Sequence, residues 1–193
     1  LGCSFTLHCG DDTSAVNLSL PGEHNIDNAL AACAAALAVG AGLADLVAGL
    51  ESVAPVAGRL HAAENSRGTL VVDDSYNANP GSVKAAIDVL VATPGRHIFM
   101  FGEMGELGPD SEELHREIGR YAREKGVAEL WLLGGAEMAA AGFGADARIY
   151  KNFEALPDLP EQFDGSDVVL VKGSRGSAME HVVARLNSHE EGI

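Results

Sequence analysis

Residues 68–101, GTLVVDDSYNANPGSVKAAIDVLVATPGRHIFMF, run from an apolar stretch through a polar turn and an amphipathic stretch into a second apolar stretch. Thr69 to Val72 and His97 to Phe101 read as buried strands, and residues 80–92 between them as a helix. Asn79 is a good N-cap for that helix, and Pro80 suits its first position. The pattern recurs downstream, with strands expected at 129–133 and 168–171 and helices near 111–125, 136–141 and 178–187. Alternation at this spacing predicts right-handed βαβ crossovers and an α/β fold: a Rossmann-like, mostly parallel sheet with helices on both faces. Ligands of such sheets bind beyond the carboxyl ends of the strands, so the loops that follow strands are where chemistry is sought.

Upstream the pattern differs. Residues 3–9 (CSFTLHC) and 14–20 (SAVNLSL) alternate around Gly10-Asp11-Asp12, which predicts a β-hairpin ended by Pro21-Gly22. From Asn25 to Val39, Ile26, Ala29, Leu30, Cys33 and Leu37 recur at helical spacing, and Gly40 and Gly42 stop the helix; Leu43 to Val53 repeats the pattern more briefly. Pro55 to Gly58 reads as a linker or domain edge. Two regions are therefore expected: 1–57, a hairpin-helix end of one domain, and 58–193, an α/β domain. The opening at Leu1, directly in strand-like sequence, reads as part of a longer chain.

The 193 residues carry 28 acidic against 13 basic side chains, a formal net charge of -15. Such a surface has no broad positive face for a nucleic-acid backbone or an anionic membrane, so neither is expected as a partner. A phosphate-bearing ligand would have to be held locally, by a few basic side chains and backbone amides, which favours a small nucleotide in a cleft. Cys3, Cys9 and Cys33 are odd in number and lack metal-ligand spacing, which fits a reduced, cytoplasmic compartment. The stretch from Ala29 to Leu50 is mostly alanine among its apolar residues and contains Asp45, too weakly hydrophobic for a membrane span.

Three strand-end loops could carry chemistry. In Asp73-Asp74-Ser75-Tyr76-Asn77-Ala78-Asn79-Pro80, paired carboxylates could accept ribose hydroxyls or hold a cation through water, or the run could simply be a turn dense in capping residues. Lys172-Gly173-Ser174-Arg175-Gly176-Ser177-Ala178-Met179-Glu180 has the spacing of a capping box, Ser177 with Glu180, which would deliver two cations and free amides to a helix N-terminus and so to an anion. It is not a P-loop, and no Gly-x-Gly-x-x-Gly occurs. Gly102-Glu103-Met104-Gly105-Glu106-Leu107-Gly108-Pro109 could meet an ammonium group or shape an acceptor pocket, or be a structural turn into a helix capped by Asp110 and Glu113. His115 reads as a polar-face residue of that helix and Arg59 as a lone surface charge. Asn25 and Asn28 lie three apart on one helix face, where paired amides can read a base edge; capping by Asn25 would account for only one of them.

Leu-Pro-Gly-Glu-His-Asn-Ile-Asp-Asn-Ala-Leu-Ala-Ala (20–32), Gly58-Arg59-Leu60, the Asp-Asp-Ser-Tyr-Asn-Ala-Asn-Pro run and Lys-Gly-Ser-Arg with Met179-Glu180 together resemble the Mur ligase family, in order and spacing, over nearly the whole chain. The 73–79 and 102–108 runs are similar to the branch that adds D-alanyl-D-alanine to UDP-N-acetylmuramoyl-tripeptide in peptidoglycan precursor synthesis. The resemblance implies a three-domain, ATP- and Mg2+-dependent amide ligase working through an acyl phosphate, with only the end of the central ATP-binding domain and the C-terminal domain in this chain. It implies adenine contacts for Asn25 and Asn28, an interdomain contact to ribose or phosphate for Arg59, and a ribose-hydroxyl acceptor in Asp74. Tyr76, Asn77, Asn79, Lys172, Ser174 and Arg175 would surround the acceptor amine and dipeptide. The P-loop, the Mg2+ ligands and the missing N-terminal domain would lie outside these residues, leaving no catalytic residue here and a piece inactive by itself. Competing readings are another Mur or folylpolyglutamate-type amide ligase, against which the 73–79 run argues, and a nucleotide-binding module without chemistry.

Overall fold

In a computed structural model that describes residues 1–188, the chain divides into two compact units, Leu1–Val56 and a second beginning at Ala57. In the first, β1 (Cys3–Cys9) and β2 (Asp12–Leu18) pair antiparallel with Cys3 opposite Leu18 and Cys9 opposite Asp12. Their alternation turns Leu7, Val16 and Leu18 onto Ala29 and Cys33 of α1 (Glu23–Ala38) and Leu46 and Leu50 of α2 (Leu43–Glu51). Helix α1 starts earlier than expected, and Gly22 rather than Asn25 occupies its N-cap. The Asn25 amide lies inside the first turn and donates instead to the Pro21 carbonyl at 2.8 Å.

The second unit is built on six strands: β3 (His61–Glu64), β4 (Leu70–Asp74), β5 (Arg96–Phe101), β6 (Glu129–Leu133), β7 (Ala147–Tyr150) and β8 (Asp167–Lys172). Their spatial order is β3-β4-β8-β5-β6-β7, all parallel except β3, which runs antiparallel to β4. Strands β3 and β7 went unanticipated in the sequence. Each is four residues long and sits at an edge of the sheet, where one neighbour suffices and little apolar content is needed.

The central strands are apolar throughout because both faces are covered. Val72, Phe99, Phe101, Leu130, Leu132 and Leu170 face one core together with α3 (Pro80–Ala92), α4 (Ser111–Glu124) and α5 (Met138–Phe143). Val71, Ile98, Met100, Trp131, Leu133, Val169 and Val171 face the other, under α6 (Glu180–Leu186) and the segment that carries Leu156, Leu159 and Phe163. The expected doubly covered, mostly parallel sheet is therefore present. The chain leaves β4, crosses to β5, β6 and β7, and returns to insert β8 between β4 and β5. That return sets Asp74, Lys172 and Phe101 in one row across three strand ends, from which the three candidate loops emerge together.

Candidate functional site

The loop after β4 is stapled to the segment before β3. Asp73 accepts the Gly58 N–H at 2.9 Å through one oxygen, and the Ser75 N–H at 3.1 Å and hydroxyl at 2.6 Å through the other. Asp74 accepts the Leu60 N–H at 3.1 Å and forms an ion pair with Lys172. Tyr76 closes the staple by donating its N–H to the Gly58 carbonyl at 3.1 Å. These carboxylates are thus engaged by their own chain, and Asp74 is buried.

Lys172 is only 2% exposed and also donates to the Asn77 carbonyl at 2.9 Å. The sequence reading delivered Lys172 to a helix N-terminus; instead it is the last residue of β8, its charge neutralised by Asp74 inside the sheet end. Burial pushes the Asp74 carboxyl above its ordinary range, against the opposing pull of Lys172. The expected Ser177–Glu180 capping box does not form, because residues 175–177 turn as a short 3-10 segment and α6 begins only at Glu180. The Ser177 hydroxyl donates across to the Glu103 carbonyl at 3.1 Å, while Glu180 meets Arg175 at 3.3 Å.

Of the residues named for the acceptor side, Asn79 caps α3, accepting the Ser82 N–H at 2.9 Å and donating its own N–H to the Ser82 hydroxyl at 3.1 Å. Ser174 is buried, and its N–H donates to the Glu103 carbonyl at 2.7 Å. The Asn77 amide turns back on the Ala78 N–H at 2.9 Å. Tyr76, Asn77 and Arg175 remain exposed. Arg59 is no lone charge: its guanidinium stacks 4.5 Å from the centroid of the Tyr76 ring, with that of Arg175 at 6.0 Å. One exposed aromatic ring between two arginines is thereby assembled from three separate stretches of the chain. In the first unit, the Asn28 amide donates to Asn25 at 3.3 Å, joining the two asparagines that the helical spacing pairs.

The loops after β5 and β8 lie against each other. The Gly102 N–H donates to the Lys172 carbonyl at 2.8 Å, and β-carbons at Gly102 or Gly173 would overlap Ser177 and Met179, so only glycine permits the approach. Beside this seam opens a cavity of about 310 Å³, lined by Glu103, Leu133, Gly135, Lys151, Ser177 and His181 among others. Lys151 and His181 were not singled out in the sequence: Lys151 follows the edge strand β7, which has no apolar run to mark it, and His181 lies within α6. The helix after the β5 loop is also not capped as expected: Asp110 makes no side-chain cap, and Glu113 pairs with Arg116 and Arg120. Nor is His115 on a polar face. It is 2% exposed and lies on the buried stripe with Ile118, Gly119 and Ala122, a spacing visible in the sequence.

Among the described residues, no helix is long and apolar enough to cross a membrane, and no group of three or more His, Cys, Asp or Glu is placed to hold a metal ion.

The chain is 38% identical over 191 residues to the UDP-N-acetylmuramoyl-tripeptide–D-alanyl-D-alanine ligase of Escherichia coli K12, covering 97% of this chain and 42% of that protein. It thus spans about two fifths of the length of such relatives. MurF from Acinetobacter baumannii superposes with a TM-score of 0.87 at 37% identity, over 96% of this chain and 42% of that one. The MurF ligase of Thermotoga maritima in complex with ADP does so with a TM-score of 0.83 at 25% identity, over 96% and 43%. Folylpolyglutamate synthase of Mycobacterium tuberculosis, at 16% identity over 96% of this chain and 48% of that one, shares the fold with a TM-score of 0.66. The family model described as Mur ligase, glutamate ligase domain, matches residues 58–175, the stretch that supplies Arg59, both carboxylates and the β8 loop, and this chain therefore belongs to the Mur ligase family.

Proposed function

We propose that this chain is the C-terminal part of a cytoplasmic ligase that joins D-alanyl-D-alanine to UDP-N-acetylmuramoyl-tripeptide. The observation that carries the reading is the 38% identity, over 97% of the chain, to the E. coli ligase of that name. The precursor's terminal carboxylate would be phosphorylated, the dipeptide amine would attack the acyl carbon, and the carbon–oxygen bond to phosphate would break as the amide forms and a proton leaves the nitrogen. Bound ATP would supply the phosphoryl group and Mg2+ would neutralise its charge, with the metal ligands and the P-loop outside these residues.

In this reading Asn25 and Asn28 contact the adenine, and Arg59 and Asp74 the ribose and phosphates. The exposed Arg59 guanidinium, stacked on the Tyr76 ring, supports its part in this reading, since an exposed cation held on an aromatic face suits a phosphate. Tyr76, Asn77, Asn79, Lys172, Ser174 and Arg175 form or support the wall facing the acceptor. Of these, Asn79, Lys172 and Ser174 act through the loops they hold, because their polar groups already have partners within the chain. The cavity lined by Glu103, Lys151 and His181 offers an acid for the dipeptide ammonium and basic side chains for its carboxylate. Aligning the amine with the acyl phosphate is what such a seat contributes.

Phosphate release by the full-length protein, with ATP and UDP-N-acetylmuramoyl-tripeptide, tests the reading. D-alanyl-D-alanine should support turnover and single amino acids should not. Turnover with a single amino acid in place of the dipeptide would make the chain part of a sibling ligase.

A further inference from the structure

We propose that His115 is a positioning residue that sets the two loops bordering the acceptor cavity, an inference that rests on the acceptor reading above. A buried imidazole on an otherwise apolar helix stripe needs partners for both nitrogens, and both are found at the base of the β5 loop. Nε2 accepts the Met104 N–H at 2.8 Å, and Nδ1 lies 2.7 Å from the Ser111 carbonyl, one turn back in α4. A neutral ring has one donor and one acceptor, so acceptance at Nε2 makes Nδ1 the donor to Ser111 and leaves one tautomer. The ring body packs 5.9 Å from the centroid of Phe101, the last residue of β5. His115 therefore ties the start of α4, the end of β5 and the loop between them.

What that tie fixes is Glu103. The Met104 N–H belongs to the peptide unit whose carbonyl is that of Glu103, and this carbonyl accepts both the Ser174 N–H at 2.7 Å and the Ser177 hydroxyl at 3.1 Å. One peptide plane is thus held from one side by His115 and from the other by the β8 loop. Glu103 and Ser177 both line the cavity. A β-carbon at Gly135 would collide with the Glu103 carboxylate, so the carboxylate has a close wall behind it. Removing the ring nitrogens frees the peptide plane, and with it the acid that faces the incoming amine and the serines opposite.

The test compares His115→Phe and His115→Gln in the full-length ligase. Phenylalanine keeps the aromatic body but removes both nitrogens, whereas the glutamine amide oxygen can still accept from Met104. His115→Phe should raise the KM for D-alanyl-D-alanine about tenfold, the scale of one buried N–H left without its acceptor, with the KM for ATP unchanged; His115→Gln should recover most of the loss. Hydrogen exchange on the same proteins should show peptides 102–108 and 172–178 both exchanging faster in His115→Phe than in wild type. A dipeptide KM that stays at the wild-type value well below the variant's Tm, or an ATP KM that rises equally, would overturn the proposal. So would unchanged exchange in the 172–178 peptide. If wild type does not use the dipeptide at all, the ligase reading fails on its own, and the exchange arm still decides whether His115 holds the two loops.

Discussion

Two charged clusters share the carboxyl end of this sheet and are built in opposite ways. Asp74 and Lys172 form a buried ion pair whose remaining polar atoms are taken up by Leu60 and Asn77. Arg59, Tyr76 and Arg175 stand exposed beside it, held by stacking alone apart from the contact between Arg175 and Glu180. A charge taken out of water must find its partner within the fold and meets a ligand only through the lone pairs that partner leaves, whereas an exposed cation on an aromatic ring is weakly committed and can turn to one. Lys172 at the end of β8 thus serves architecture, and Arg175 in the loop that follows is left for binding.

The buried pair should give the largest response to mutation. Lys172→Met leaves Asp74 uncompensated and should destabilise the fold by about 3–5 kcal/mol, read as a shift in urea unfolding of the full-length protein. Pairing it with Asp74→Leu should recover much of that loss. If Lys172→Met unfolds like wild type, the pair is not what holds β4 to β8, and the contrast between the clusters fails. On the exposed side, Arg59→Ala should barely change unfolding yet weaken ADP binding about tenfold, the scale of one hydrogen bond to a charged group, measured by calorimetry. Equal ADP affinity would remove Arg59 from the nucleotide site.

A pH titration sharpens the same comparison. Because burial lifts the Asp74 carboxyl, the folded state binds its proton more tightly than the unfolded chain does. The associated stability is fully present below the ordinary carboxylate value and is lost as pH rises through the folded-state value. Asp74→Asn should flatten that part of the curve of Tm against pH; a variant that keeps the wild-type slope would assign it to another group. The smallest effect is expected on the surface of α4, where Glu113 pairs with Arg116 and Arg120. Glu113→Gln should change stability by no more than about 0.5 kcal/mol, and a loss of several times that would mean surface pairs matter here as much as the buried one.

Much of this was legible from residue order. The apolar runs of β4, β5, β6 and β8, separated by amphipathic helices, were enough for the parallel sheet, because burial on both faces leaves a continuous hydrophobic signature. Edge strands β3 and β7 were not, since pairing on one side only demands no such run. Helix ends were misplaced where Ser177, Asp110 and Asn25 had the right type and spacing for caps, but the Ser177 and Asn25 side chains donate to the Glu103 and Pro21 carbonyls and Asp110 makes no cap. Capping depends on local dihedral angles that residue type only biases.

The sequence by itself determined the fold class, the family likeness and the strand-end loops in which candidate residues lie, because periodicity and short motifs are local properties. Only the tertiary structure decided which of those residues are free to act. The insertion of β8 between β4 and β5 joins Asp74 to Lys172 across 98 positions, gathers Arg59, Tyr76 and Arg175 around one ring, and turns His115 inward. A side chain's availability depends on what desolvates it and what it meets, and both are set by segments distant in the chain.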